Sequence, residues 1–275
     1  MNNAIIAFIG GGNMGRALVA GLIADGYPAQ ALRVGDPDQA QLDRLRARFS
    51  IPTTTENHEA ISGADVVVLA VKPQVIKAVV CELADSIQAH HPLVLSLAAG
   101  IRSTALSQWL GPETAVVRVM PNTPALVGSG AAALYATQGV RPEQREMAES
   151  ILRAVGLTLW IDDEGHMDAV TALSGSGPAY FFLLMEALED AATHLGLSRE
   201  QARLLTIQTA FGAAKMALES SAAPAALRIQ VTSPGGTTER ALQILNESGI
   251  DRIIDVALRA AAARAAELAR TFGDP

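Results

Sequence analysis

Residues 10–15, Gly10-Gly11-Gly12-Asn13-Met14-Gly15, follow the spacing G-x-G-x-x-G. They come directly after an apolar run at residues 5–9 and open a segment with helical spacing. In this setting Gly10 permits a tight turn, Gly12 lets a pyrophosphate approach the backbone, and Gly15 lets helix and strand pack. Free N–H groups at the positive end of the helix dipole would bind the phosphates. The loop therefore predicts a dinucleotide site; the alternative is a glycine-rich turn that binds nothing.

Asp36 lies 21 residues after Gly15, at the end of the next predicted strand. A carboxylate at this position accepts hydrogen bonds from a ribose 2′-OH and repels a 2′-phosphate, which favours NADH over NADPH. Arg33 is the nearest cation, but its place within the strand makes it a poor ligand for a 2′-phosphate. The alternative is that Asp36 is a turn residue before Pro37.

Three further segments follow predicted strands and should line the same cleft, because ligands bind outside the carboxyl ends of parallel strands. They are Ala70-Val71-Lys72-Pro73, Ala98-Ala99-Gly100 and Met120-Pro121-Asn122-Thr123-Pro124. The small residues would allow a ligand to approach closely, whereas Lys72 is equally well explained as a solvated charge.

A second glycine element, Ser233-Pro234-Gly235-Gly236-Thr237-Thr238, precedes a predicted helix. Hydroxyls and free N–H groups at a helix N-terminus suit a substrate carboxylate, and Thr238 could also donate a hydrogen bond. The alternative is an ordinary capped helix with Glu239 in its first turn. The segment Ser174-Gly175-Ser176-Gly177-Pro178 also has two interpretations, because its small residues suit either a ligand pocket or a close crossing of two helices.

The elements that must position these residues change in type along the chain. Apolar runs typical of buried parallel strands lie at residues 5–9, 66–71, 93–98, 115–119 and 131–135, with helical patterns between them. After Trp160 the pattern is helical, at residues 167–173, 179–195, 199–219, 223–229, 238–246 and 250–271. The sequence thus predicts an α/β Rossmann-type dinucleotide-binding domain at 1–162 and an all-helical domain at 163–275.

The composition excludes several classes of protein. The chain has 275 residues, 49% hydrophobic and 18% charged, which is too apolar for a disordered chain. A formal charge of −7 argues against nucleic acid as a partner. Cys81 is the single cysteine and the five histidines form no metal-binding motif, so neither a disulfide nor a metal site is expected. No signal-type segment or apolar stretch of membrane-spanning length is present, and we expect a cytoplasmic protein.

These motifs occur in an order along the chain that resembles the pyrroline-5-carboxylate reductase family, and the resemblance extends over essentially the whole length of the chain. The most specific parts are the block at residues 168–180 and the loop at 231–238. The resemblance implies that the protein transfers hydride from NADPH or NADH to the C=N carbon of Δ1-pyrroline-5-carboxylate, giving L-proline in the last step of proline synthesis. It also implies that the helical domain is a dimerisation domain and that dimers often assemble into a ring.

Combined with the strand-end argument, the resemblance implies two sets of site residues. Cofactor contacts are expected from Gly10, Gly11, Gly12, Asn13, Met14, Gly15, Asp36, Asn57, Ala70, Val71, Lys72, Pro73, Ala98 and Gly100. Substrate contacts are expected from Glu164, Ser233, Gly235, Gly236, Thr237 and Thr238, of which Thr238 is the candidate catalytic residue. Asp36 departs from the Ser or Asn of many members, and this puts the family's usual NADPH preference in doubt.

Two other functions fit the same layout. A β-hydroxyacid dehydrogenase would use a lysine of the helical domain as its acid, and Lys215 is the one lysine available there. A non-catalytic nicotinamide sensor would bind the cofactor and a partner protein without turnover, but it would leave the loop at residues 233–238 without a role.

Overall fold

The computed structural model describes residues 4–273. Its contacts divide the chain into two units, one running to Ser176 and including the residues from Ala261 onward, the other covering Gly177–Ala260. The predicted domain ranges, 1–162 and 163–275, remain a prediction. The contact-based units differ from them because residues 163–176 and the end of the last helix pack with the sheet.

The first unit contains an eight-stranded sheet. The strands are β1 Ile6–Ile9, β2 Leu32–Gly35, β3 Thr53–Thr54, β4 Val66–Leu69, β5 Leu93–Ser96, β6 Val116–Met120, β7 Gly130–Ala136 and β8 Gly156–Trp160. Their order in the sheet is β3-β2-β1-β4-β5-β6-β7-β8. The first six strands in chain order are mutually parallel, which confirms the predicted Rossmann-type sheet.

The direction of β7 differs from the sequence prediction, which groups the run at 131–135 with the parallel strands. β7 is antiparallel to β6, and β8 is then parallel to β7. The reason is the connection at residues 121–129, which holds only a 3₁₀ turn at Thr123–Val127. Parallel neighbours need a crossover of about a dozen residues or more, whereas a short connection makes an antiparallel pair.

Helices cover both faces of this sheet. They are α1 Asn13–Ala24, α2 Gln39–Phe49, α3 Asn57–Ile61, α4 Pro73–His90, α5 Ser103–Leu110, α6 Pro142–Arg153 and α7 Met167–Val170, the last followed by a π-helical turn at Thr171–Gly175. Each face buries its own apolar cluster, one including Phe8 and Leu18 and the other including Leu69 and Ile76. Because all four residues of β4 are buried, its apolar run shows no polar alternation.

The second unit is helical and confirms the prediction for this part of the chain. It contains α8 Gly177–His194, α9 Arg199–Glu219, α10 Pro224–Gln230, α11 Thr237–Glu247 and the first part of α12 Ile250–Gly273. Ser198 caps α9 through a capping box with Gln201. Among the described helices, none combines the length and apolarity that crossing a membrane requires.

Large apolar side chains cover much of the surface of this helical unit. Phe181, Phe182 and Leu183 of α8 are 65%, 64% and 66% exposed, and Phe211 of α9 is 60% exposed. Exposed large apolar side chains of this kind are typical of surfaces that contact another protein.

Candidate functional site

The glycine loop joins β1 to α1 with no room for a side chain at its first position. Gly10 has a φ of 108°, and its N–H donates to the Gly35 carbonyl at 2.8 Å. A Cβ built on Gly10 would lie 2.7 Å from the carbonyl oxygen of Ala70. The loop is therefore packed directly against the ends of β2 and β4.

Gly15 and Gly12 have opposite surroundings. A Cβ on Gly15 would lie 2.3 Å from the Gly10 oxygen, whereas a Cβ on Gly12 would meet nothing within 4 Å. Gly12 is also the N-cap of α1 and supplies no side chain to bind the first N–H groups of that helix. Open space next to unsatisfied N–H groups is what a pyrophosphate requires. The residues at this loop therefore fit a dinucleotide.

Asp36 is 7% exposed and is turned towards the glycine loop. Its Oδ2 accepts from the Gly11 N–H at 2.7 Å, and its Oδ1 accepts from the Asp38 N–H at 2.8 Å. Each carboxylate oxygen keeps a further lone pair for a ribose hydroxyl. The contact with Asp38 is the one expected if Asp36 is a turn residue before Pro37. The carboxylate can nevertheless still accept hydrogen bonds from a ligand. Arg33 donates to the Ser62 carbonyl at 2.6 Å, so its guanidinium is already engaged and does not suit a 2′-phosphate.

The other predicted cofactor residues follow the ends of neighbouring parallel strands. Ala70 and Val71 are half-buried, and the exposed Lys72 is the N-cap of α4, which begins at Pro73. Asn57 begins α3, and its Oδ1 is buried with no hydrogen-bond partner in the described structure. This oxygen would lie 3.0 Å from a Cβ built on Gly35, so Asn57 packs against the end of β2, and its contact with a cofactor remains a prediction.

Ala98 and Gly100, both buried, lie in the loop after β5. Gly100 has a φ of 76°, and a Cβ on it would lie 3.4 Å from the Ala269 nitrogen and 3.6 Å from the Leu268 Cβ, so α12 packs against this loop. Their cofactor contacts remain a prediction.

Glu164 forms a buried polar cluster with two residues that the sequence analysis does not identify. Its Oε1 accepts from the Ser103 N–H at 2.7 Å and from Arg118 Nη1 at 2.9 Å, and its Oε2 accepts from Ser103 Oγ at 2.5 Å. Arg118 is 4% exposed. Because Ser103 begins α5, the Glu164 carboxylate also lies at the positive end of that helix dipole. A single cation within the apolar strand β6 is the sequence signal that identifies Arg118.

The segment after β6 is held by the block at residues 168–180. Asn122 Nδ2 donates to the Ser174 carbonyl and to its Oγ, both at 3.2 Å, while Asn122 Oδ1 accepts from the Ala131 N–H at 2.9 Å. A Cβ on Gly175 would lie 2.3 Å from Met120 Cε. Gly175 therefore allows close packing, although against β6 rather than between two crossing helices.

In the helical unit, the loop from Ser233 to Thr238 leads into α11. Gly235 has a φ of 69°, the Gly236 N–H donates to the Ser233 carbonyl at 3.0 Å, and Thr237 and Thr238 are exposed in the first turn. Gly236 is the N-cap and supplies no side-chain acceptor. Glu239 accepts from the Gly235 N–H at 2.7 Å, as expected for an ordinary capped helix. This contact satisfies only one of the N–H donors of the loop. The N–H groups at the start of α11 suit an anionic group.

Comparison with family models matches two regions of the chain. Residues 164–268 match the family described as pyrroline-5-carboxylate reductase dimerisation. Residues 5–100 match the family described as NADP oxidoreductase, coenzyme F420-dependent. The first match covers the whole helical unit, and the second covers the glycine loop and the strands beside it.

Individual relatives match over nearly the full length. The chain is 52% identical over 273 residues to a pyrroline-5-carboxylate reductase of Pseudomonas aeruginosa, covering 99% of this chain and 100% of that one. A solved pyrroline-5-carboxylate reductase from Coxiella burnetii is 48% identical, with a TM-score of 0.94 over 97% of this chain and 99% of its own. A Plasmodium falciparum pyrroline carboxylate reductase, solved with NADP bound, is 30% identical with a TM-score of 0.86 over 98% and 99%.

Proposed function

The chain belongs to the pyrroline-5-carboxylate reductase family, and on that premise we propose how its residues carry out the reaction. The protein is an NAD(P)H-dependent oxidoreductase that reduces Δ1-pyrroline-5-carboxylate to L-proline. The observation that carries the cofactor assignment is the glycine loop, where a Cβ would collide at Gly10 and Gly15 but not at Gly12.

The reaction requires little acid–base catalysis from the protein. A cyclic imine is readily protonated, and the iminium form is already electrophilic at its C=N carbon. Bound NAD(P)H supplies the hydride that reduces this carbon. The protein's own contribution is to bind the carboxylate, fix the ring in a reactive orientation and exclude water. Because the substrate is already electrophilic and the cofactor supplies the hydride, the proposed site residues do not need to include a paired acid and base.

The proposed cofactor residues are those at the loop and at the neighbouring strand ends. Gly12 and the first turn of α1 would bind the pyrophosphate, and Asp36 would accept from the adenosine ribose. Asn57, at the start of α3, would contribute a further cofactor contact, as the family resemblance implies. The remaining members of this set are Gly10, Gly11, Asn13, Met14, Gly15, Ala70, Val71, Lys72, Pro73, Ala98 and Gly100.

The proposed substrate residues are Ser233, Gly235, Gly236, Thr237 and Thr238 of the helical unit and Glu164 of the first unit. The first N–H groups of α11 would bind the substrate carboxylate, because the helix offers them no side-chain cap. The exposed Thr238 hydroxyl would contact the ring nitrogen. Glu164 would contact the substrate while its carboxylate is held by Arg118 and Ser103.

Replacing Thr238 by alanine is expected to lower kcat/KM about tenfold or more, because a hydrogen bond to a charged group is worth roughly 1.5–3 kcal/mol. Steady-state kinetics with saturating cofactor measure this. The matched control is Thr271→Ala, which removes a hydroxyl that only donates to the Glu267 carbonyl within α12. Wild-type kinetics in Thr238→Ala would reject the role.

The test of the overall function is steady-state oxidation of NADH and of NADPH with Δ1-pyrroline-5-carboxylate, with 3-hydroxy acids assayed in parallel. The β-hydroxyacid dehydrogenase alternative gains no support, since Lys215 is exposed and ion-paired with Glu219 at 3.7 Å. Turnover of 3-hydroxy acids alone would favour that alternative, and cofactor binding without any turnover would favour a sensor.

Replacing Asp36 by serine is expected to raise the kcat/KM ratio of NADPH to NADH about tenfold, because it removes the charge that repels a 2′-phosphate. The control is Asp38→Ser, which removes a nearby exposed carboxylate and keeps a good N-cap for α2. An unchanged cofactor ratio in Asp36→Ser would show that Asp36 does not sense the 2′ position.

The chain carries the family's dimerisation region and forms a homo-oligomer, for which the exposed apolar helices provide the surface. We propose that dimers assemble further into a ring, and that the protein works in the cytoplasm with no nucleic-acid partner. Sedimentation velocity is expected to show a species of several dimers. A monomer at micromolar concentration would contradict the assembly.

A further inference from the structure

A cavity of about 660 Å³ lies beside the glycine loop, between α1 and α2. Gly11 and Gly12 form one part of its wall, and Arg16, Arg44 and Arg48 form another. Three guanidinium groups at one cavity give a positive potential in a chain whose formal charge is −7.

The two arginines of α2 share a face with Gln41, which also lines the cavity. Positions 41, 44 and 48 follow helical spacing, so their side chains project to the same side. Arg46, on the same helix, instead pairs with Asp43 at 3.4 Å and donates to Thr53 Oγ1 at 2.7 Å. It does not line the cavity.

Arg44 and Arg48 have no carboxylate within 4.0 Å among residues 4–273. The Arg48 guanidinium lies 5.0 Å from the ring centre of Phe49, which lines the same cavity. Arg16 donates to the Asn13 side chain at 3.2 Å. The two α2 guanidinium groups therefore keep their fork of donors for an anion, and such a fork suits a phosphate.

Asp36 connects this cavity to the adenosine end of the predicted cofactor site. Its Oδ2 holds the Gly11 N–H at 2.7 Å, and Gly11 itself lines the cavity. A Cβ on Gly11 would lie 2.9 Å from Leu45 Cδ1 and 3.5 Å from Asp36 Oδ2, so α2 packs directly on this part of the loop. Gly11 thus forms part of the cavity wall and is also the contact of Asp36, the residue that would bind the ribose.

We infer that Arg44 and Arg48 bind the 2′-phosphate of the adenosine ribose, so that the protein accepts NADPH in spite of Asp36. The inference rests on the proposed cofactor site at the glycine loop. Asp36 opposes a 2′-phosphate, but two backbone N–H groups partly offset its charge, and the arginines add two positive charges to the cavity that Gly11, its hydrogen-bond donor, also lines. On this view NADH depends on Asp36, whereas NADPH depends on the two arginines.

The experiment compares binding of 2′,5′-ADP and 5′-ADP by isothermal titration calorimetry, in the wild type and in the double variant Arg44→Ala/Arg48→Ala. The Kd of 2′,5′-ADP is expected to rise about tenfold or more in the variant, because hydrogen bonds from charged donors are lost. The Kd of 5′-ADP is expected to change less than about threefold. The KM for NADPH should rise in parallel, with the KM for NADH unchanged.

Arg46→Ala is the matched control, since it removes the same charge from the opposite side of α2 and should leave the ratio of the two Kd values unchanged. Equal weakening of both ligands, no weakening of either, or the same selectivity loss in Arg46→Ala would overturn the inference. The binding readout is independent of turnover. A wild type that discriminates the two ligands through Arg44 and Arg48 but does not reduce Δ1-pyrroline-5-carboxylate would refute the function and leave this inference standing.

Discussion

Replacing Gly12 by valine is expected to raise the Kd of NADH and of NADPH at least about a hundredfold while leaving the fold intact. A Cβ at Gly12 meets nothing within 4 Å, and the residue's φ of −66° is one that other residues adopt readily. The added methyl groups would instead occupy the space over the first N–H groups of α1. Losing charge-assisted hydrogen bonds worth about 3 kcal/mol corresponds to about a hundredfold in affinity. Fluorescence titration of the reduced cofactor, together with Tm, measures both effects.

Two other glycines provide the controls for this prediction. A Cβ on Gly139 also meets nothing within 4 Å, so Gly139→Val should change neither Tm nor cofactor affinity. Gly15→Ala should instead lower Tm, because its Cβ would lie 2.3 Å from the Gly10 oxygen. Normal cofactor binding by a folded Gly12→Val protein would mean that the pyrophosphate does not lie at this loop.

Replacing Arg118 by methionine is expected to lower the free energy of unfolding by about 3 kcal/mol, because it removes the cation of a largely buried ion pair, and Ser103 and the start of α5 compensate only part of the remaining Glu164 charge. Arg118 Nη1 lies 2.9 Å from Glu164 Oε1, and the two side chains are 5% and 16% exposed. A loss of this size is a large part of the 5–15 kcal/mol typical of a whole domain. Urea denaturation at fixed subunit concentration measures it.

The double variant Arg118→Met/Glu164→Gln should recover part of the loss, since no unpaired charge then remains in the cluster. Arg264→Met is the control for an exposed pair. Arg264 Nη1 lies 2.8 Å from Glu267 Oε2, with the side chains 65% and 51% exposed, and its loss should cost less than about 1 kcal/mol. Equal effects from Arg118→Met and Arg264→Met would show that burial adds nothing to the Arg118–Glu164 pair.

Sequence periodicity was sufficient for the parallel core of the sheet and for the helices after residue 163. Runs such as Val66–Leu69 are apolar at every position because both faces of the strand are buried. Neither the two-residue β3 nor β8 has such a run. β8 alternates, with Leu157 and Leu159 exposed, and lies at the edge of the sheet.

The glycine loop, the strand before it and the helix after it could be predicted from local patterns, because their contacts join residues close together along the chain. The antiparallel direction of β7, the contact of Asp36 with Gly11, and the cluster of Glu164 with Arg118 and Ser103 became visible only in the folded chain. Ser103 and Glu164 are 61 positions apart. The physical reason is that an apolar or charged pattern reports which face of an element is buried. The pattern does not specify which distant residue lies against that face, because the packing of whole elements sets the partner.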